Sequence, residues 1–162
     1  MPTYIGTSDT ADGGILASHS TYATARDGTG TLAANTTNGT LLGNDASAQQ
    51  SIGQELSAGN YFLHEAFVKF DTSSIPAGAI IESGTLTTFF RTSRNNSGTA
   101  WIGQARIFDW GATLGTADWI PGANLGTTPL VGTVAQANMG TLLSVNWVSL
   151  AAMTSNIALA GT

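Results

Sequence analysis

The clearest periodicity lies in Tyr-Phe-Leu-His-Glu-Ala-Phe-Val-Lys-Phe, residues 61–70. Residues at every second position of a strand share a face. The even set is Phe62, His64, Ala66, Val68 and Phe70; the odd set is Tyr61, Leu63, Glu65, Phe67 and Lys69. Both formal charges fall on the odd side, so the alternation predicts a strand whose even side faces the core. The odd side keeps Leu63 and Phe67, which implies that something covers it. Residues 84–93 predict a second strand, with Leu86, Thr88 and Phe90 on one side. Residues 100–110 predict a third, with Trp101, Ala105 and Ile107 on one face and Gln104 and Arg106 on the other. Shorter strands are expected at 51–56, 130–134, 143–150 and 157–160.

Residues 1–60 carry Gly, Asn, Asp and Thr every few positions. Asp12-Gly13-Gly14, Asp27-Gly28 and Asn38-Gly39 favour tight turns and bracket short segments at 15–16, 20–25 and 40–42. Ser57-Ala58-Gly59-Asn60 reads as a turn. About 15 N-terminal residues read as an extended arm, since termini are often tied down loosely. Helix is scarce. Thr116 offers an N-cap for one turn stopped by Pro121, and 149–156 could hold another. Many short strands separated by turn signals predict a single all-β domain over 1–162, a sandwich or barrel.

Composition narrows the function classes. Charged residues make up 9% of the 162 and hydrophobic ones 42%, where globular proteins average about 25% charged. Disorder is therefore not expected for the bulk of the chain. The net charge of -5, with no basic stripe, argues against nucleic acid and anionic membrane surfaces as partners. There is no cysteine, hence no disulfide framework or thiolate metal site. The start has neither a charged n-region nor an apolar h-region, so no signal peptide is expected.

Candidate chemistry is sparse. Asp71, Thr72, Ser73 and Ser74 cluster between two apolar runs. A serine nucleophile needs a base within reach and a group to orient it. The only histidines are His19 and His64, and His64 sits in the core-side register. Asp71 instead suits a bend, accepting the N–H groups of Ser73 and Ser74, with Ile75 plugging the core and Pro76 fixing a turn. No catalytic residue, cofactor or metal is expected. Asp9, Asp12, Asp27 and Asp45 lie in Gly- and Asn-rich loops, but their spacing matches no defined calcium loop. Arg91, Arg94 and Arg106 could form a small basic cluster, with solvated surface charge as the plainer reading. Asn35, Asn38 and Asn95 open glycosylation sequons of a kind that arises by chance in an Asn/Thr-rich chain. Trp110 and Trp119 are candidates for glycan stacking, with Trp101 and Trp147 beside them. The plainer reading puts Trp101 and Trp147 in the core and makes Trp110 and Trp119 pins for the 109–122 loop.

Four stretches carry a family resemblance. The segment 67–90 holds Phe70-Asp71-Thr72-Ser73-Ser74-Ile75-Pro76 between strands. Downstream stand Ala105-Arg106-Ile107-Phe108-Asp109-Trp110-Gly111 and Thr116-Ala117-Asp118-Trp119-Ile120-Pro121-Gly122-Ala123-Asn124-Leu125. Upstream is Tyr22-Ala23-Thr24-Ala25-Arg26-Asp27-Gly28, a strand-and-turn opening in such modules. Together they resemble the DNRLRE-type β-sandwich modules of bacterial and archaeal surface proteins, and more closely the versions in tailed-bacteriophage structural proteins. The resemblance covers most of 20–160. It implies a jelly-roll-like, non-enzymatic module on a virion, as capsid decoration or tail component, binding capsid or tail proteins and copies of itself. Leu63 and Phe67 are then the candidate contact face. The alternative is a carbohydrate-binding or adhesion module of a bacterial surface or secreted protein, stacking glycans on Trp110 and Trp119. Relatives continue past residues 157–162 with another hairpin and a closing strand. Two readings follow: an open sheet edge filled by a neighbouring subunit, or a sequence that continues beyond Thr162.

Overall fold

A computed structural model describes residues 12–35, 51–82, 84, 86–90, 99–111, 113–135 and 143–147. The chain is all-β, with antiparallel strands, one short α-helix and brief 3-10 turns. The strands are β1 (Gly13–His19), β2 (Thr31–Asn35), β3 (Gly53–Ser57), β4 (Asn60–Phe67), β5 (Leu86–Phe90), β6 (Ile102–Arg106), β7 (Leu130–Ala135) and β8 (Leu143–Trp147); the helix α1 is Tyr22–Arg26. Two compact units result. The first comprises Met1–Ser74 and Asp109–Thr127; the second comprises Ile75–Phe108 and Thr128–Thr162.

The first unit is built on a four-stranded sheet of order β2-β1-β4-β3. In antiparallel pairs, opposed residues point to the same side. Gly13 lies opposite Phe67, Ile15 opposite Glu65 and Ala17 opposite Leu63. The buried residues Gly13, Ile15, Ala17 and Phe67 thus share the odd face. This reverses the expectation for 61–70: the main core lies on the odd side of β4, while Phe62, His64 and Ala66 on the even side are half-buried and Val68 and Phe70, past the end of the strand, are exposed. Charge placement misleads here because the carboxyl of Glu65 is hydrogen-bonded on the covered face.

The segment 20–25, expected as strand, is largely helix. Ala23, Ala25 and Arg26 are good helix formers, but five residues cannot hold a helix alone. Tertiary contacts supply the rest. Ala25 is wholly buried, and Tyr22 meets Tyr61 edge-to-face at 5.4 Å. His19 Nδ1 accepts the Thr21 N–H (2.9 Å) at the helix entry. The strand at 31–35 has no counterpart among the expected elements. The expected segment at 40–42, the turn at 149–156 and the strand at 157–160 lie outside the described residues.

β3 and β4 form a hairpin through Ala58 and Gly59, with Ser57 opposite Asn60. Both loop residues have positive φ, 49° and 78°, the signature of the type I′ turn that matches strand twist. Gly59 adopts this freely; Ala58 does so against its Cβ.

In the second unit β5 pairs with β8 and β6 with β7. Ala105 faces Gly132 and Arg106 faces Leu130, so β7 bulges at Val131. The extra residue turns inward and is buried. Beyond the bulge Arg106 Nη1 donates to the Thr128 carbonyl (2.6 Å) and the Ile107 N–H to that of Pro129 (3.0 Å). Gln104 is exposed, while Trp101, Ala105 and Ile107 on the expected opposite face are partly covered; Arg106, expected beside Gln104, is half-buried.

The I′ turn yields a direct test. Ala58→Asn places a residue tolerant of the left-handed region there and should stabilise the fold by about 0.5–1 kcal/mol. A rise in the urea midpoint at unchanged slope would show it.

Candidate functional site

Segment 109–127 belongs to the first unit and crosses the covered face of its sheet as a strap. Asp109 opens it, its Oδ1 accepting the Gly111 N–H at 2.8 Å; Gly111 has φ 72°. Trp110 stands edge-on to Phe67 at 5.5 Å. Leu114 is buried. A single 3-10 turn follows at Thr116–Asp118. Its N-cap is Gly115 and not the expected Thr116, because the Asp118 carboxylate reaches back to the Gly115 N–H (2.8 Å) and does the capping. A second 3-10 stretch, Gly122–Thr127, completes the strap.

Trp119 locks it. The indole is buried, and its Nε1 donates to the Arg26 carbonyl at 3.2 Å, across 93 positions of sequence. It lies directly over Gly28, where a Cβ would fall 2.3 Å from Trp119 Cδ1. Gly28 also has φ 68°, so both backbone and space demand glycine. The Arg26 side chain lies in turn over Gly122, whose Cβ would come within 2.7 Å of Arg26 Cγ and Cδ. Arg26 grips Asp27 through Nε (2.7 Å) and Nη2 (2.8 Å). Those hydrogen bonds hold the Asp27 carboxyl below its ordinary range.

Beneath the strap Glu65 accepts the Ile120 N–H at 3.1 Å. Burial pushes its carboxyl up to about 7, and the Ile120 hydrogen bond only partly opposes this. A buried carboxyl without a cation holds its proton to higher pH.

The expected site residues separate as follows. Leu63 is half-buried, but Phe67 is buried against Trp110 and presents no outward surface. Phe67 is covered by Trp110 of the chain's own strap, so Phe67 is corrected from contact face to core. Trp119 is likewise buried and offers no ring face to a sugar, and Trp110 is packed on Phe67. Both pin the strap, as the plainer reading had it. Trp101 is half-buried, and Trp147 ends β8.

Asp71 Oδ1 accepts the Ser73 N–H (2.8 Å); this and the Ser73 hydroxyl hold its carboxyl below the usual range. Ser73 and Ser74 are exposed and Ile75 is buried. Pro76 to Ala79 make a turn, closed by the Ala79 N–H on the Pro76 carbonyl (3.1 Å). Asp12 accepts the Lys69 N–H (2.8 Å), tying the start of β1 to the chain leaving β4. No group of three or more acidic or histidine side chains converges among the described residues. Arg106 is held by Gln104 and Thr128. Asp9, Asp45, Arg91, Arg94, Asn38 and Asn95 lie outside the described residues. His64 is half-buried; burial lowers its pKa, against the pull of Glu55. Its Nδ1 and Trp110 Nε1 are buried with no hydrogen-bond partner among the described residues.

No family model, curated protein or solved structure matches the chain.

Two outcomes follow from the strap. Gly28→Ala puts a methyl into the Trp119 ring and strains the backbone, so it should cost about 2 kcal/mol or more, read by urea denaturation and by the environment of the tryptophan fluorescence. Glu65 binds its proton more tightly folded than unfolded. Its contribution is complete below about 4.5, the unperturbed value, and is lost as pH rises towards about 7. Glu65→Gln keeps an acceptor for Ile120 and removes that loss. Its stability relative to wild type should rise from pH 5 to pH 8 by up to about 3 kcal/mol; parallel stability curves across that range would refute the assignment.

Proposed function

We propose that this chain is a structural protein of a tailed-bacteriophage virion, a capsid decoration or tail-associated component, built as a jelly-roll-like β-sandwich. It acts through contacts with capsid or tail proteins and with itself and makes or breaks no covalent bond. The motif resemblance supplies the class. The observation that carries a contact role is the division of labour among side chains. The motif carboxylates of Asp27, Asp71, Asp109 and Asp118 are spent on neighbouring backbone or on Arg26. Meanwhile Leu56, Ile80 and Ile102 stand 62%, 88% and 65% exposed. Contiguous apolar patches mark docking sites, whereas single exposed residues are ordinary; Leu56 in the first unit and Ile80 and Ile102 in the second are the anchors around which such patches would form. At roughly 25 cal/mol per Å², a few hundred Å² of such surface gives weak single contacts that a repeating lattice strengthens.

Mass spectrometry of purified particles tests the reading. The chain should be present in fixed ratio to the major shell protein, in hundreds of copies for decoration or a handful for a tail part. Ile80→Glu should lower its occupancy without unfolding it. Absence of the chain from the particles would overturn the proposal.

A further inference from the structure

The outer strand of the first sheet has the chemistry of a self-pairing edge. Among the described residues β3 is bordered by β4 on one side only. All five of its residues are exposed, and Ile52 just before it is exposed too. Exposed edges are normally protected by Pro, Lys, bulges or inward charges. Gly53-Gln54-Glu55-Leu56-Ser57 has no Pro, Lys or bulge, and its one charge lies on the open face.

The hairpin sets which backbone groups point outward. In a two-residue loop the flanking residues, Ser57 and Asn60, form the first hydrogen-bonded pair, and such pairs alternate along the ladder. Glu55 with Phe62 and Gly53 with His64 are therefore bonded within the hairpin. The N–H and C=O groups of Gln54 and Leu56 face away from β4, towards the free edge.

We propose that β3 pairs antiparallel with β3 of a second copy of this chain, about a two-fold axis at Gln54. That register follows from the side chains. With Gln54 opposite itself, Leu56 of each copy meets Ile52 of the other, and the two exposed apolar residues cover one another. Glu55 faces Gly53, so no like charges are opposed. Gly53 has φ 109° and no neighbour within 4 Å of a Cβ position, leaving room for the Glu55 side chain. Gln54 and Leu56 lie on the same side of the sheet as Leu63 and Tyr61. The second copy would thus extend the covered face, joining two four-stranded sheets into one of eight strands. An isologous contact of this kind closes as a dimer and does not propagate.

Sedimentation of the purified chain over micromolar to near-millimolar concentrations should show the mass doubling. Gln54→Pro removes an outward N–H while leaving the β3–β4 ladder intact, so the dimer should disappear with the circular dichroism spectrum unchanged. Leu56→Lys, at an exposed position, should also abolish it and guards against misfolding of the proline variant. The chain has no cysteine, which permits a positive test. Bonded antiparallel partners sit about 5.5 Å apart at Cα, within disulfide range. Gln54→Cys should give a disulfide-linked dimer under mild oxidant, and Thr133→Cys, exposed in the second unit, should not. A wild type that stays monomeric throughout, or a dimer that survives both Gln54→Pro and Leu56→Lys, would overturn the proposal. The result does not depend on the virion reading: a chain absent from particles could still dimerise through β3.

Discussion

The first unit depends on the Trp119 indole lying on Gly28 with its N–H on the Arg26 carbonyl. One side chain buries a large apolar surface and satisfies a carbonyl at the end of the helix. It also anchors the strap, which Trp110 on Phe67 and the Ile120 N–H on Glu65 hold at two further points. Phe67 gains the edge of Trp110 and Glu65 gains the Ile120 N–H because the strap is in place. The contact is reciprocal, since Arg26 covers Gly122 on the strap while Trp119 covers Gly28 on the turn. Two glycines far apart in sequence let two large side chains interlock. Any side chain at Gly28 would meet the ring.

A second theme is the use of charge. With few ionisable groups, most of the described aspartates are spent on nearby backbone. Asp71, Asp109 and Asp118 each take a backbone N–H two or three residues away, and Asp12 takes one 57 residues away. Such bonds satisfy backbone at bends where no strand partner exists. The exposed surface of the described residues carries hydroxyls, amides and isolated large aliphatics beside a few carboxylates such as Glu55, Asp71, Glu82 and Asp109.

Particular elements show how far the one-dimensional pattern reaches. The strands at 61–70, 100–110 and 130–134 were legible because alternation and turn residues are local signals. So was the bend after Phe70, where an Asx-type bond to Ser73 needs only neighbours. The helix at Tyr22–Arg26 was not: its five residues gain their stability from Ala25 and Tyr22 packing on the sheet. The covered face of β4 was misread because the charge of Glu65 counted as outward, whereas a single N–H from Ile120 and retention of the proton let it lie beneath the strap. The strap itself was legible as motifs and as a loop pinned by Trp110 and Trp119, without the partners that the pins meet. The residues Tyr22 to Gly28 and Thr116 to Leu125 stood out, but nothing in either announced that one fills the other.

The amino-acid order by itself determined the all-β class, the turn positions, the scarcity of charge and the hairpin at Ala58-Gly59. These follow from steric preferences and periodicities that act over a few residues. Tertiary structure alone decided which face of β4 is core, that 22–26 is helical, and that Trp119 meets Gly28 across more than ninety positions. Those outcomes depend on burial, and burial is a property of which segments come together.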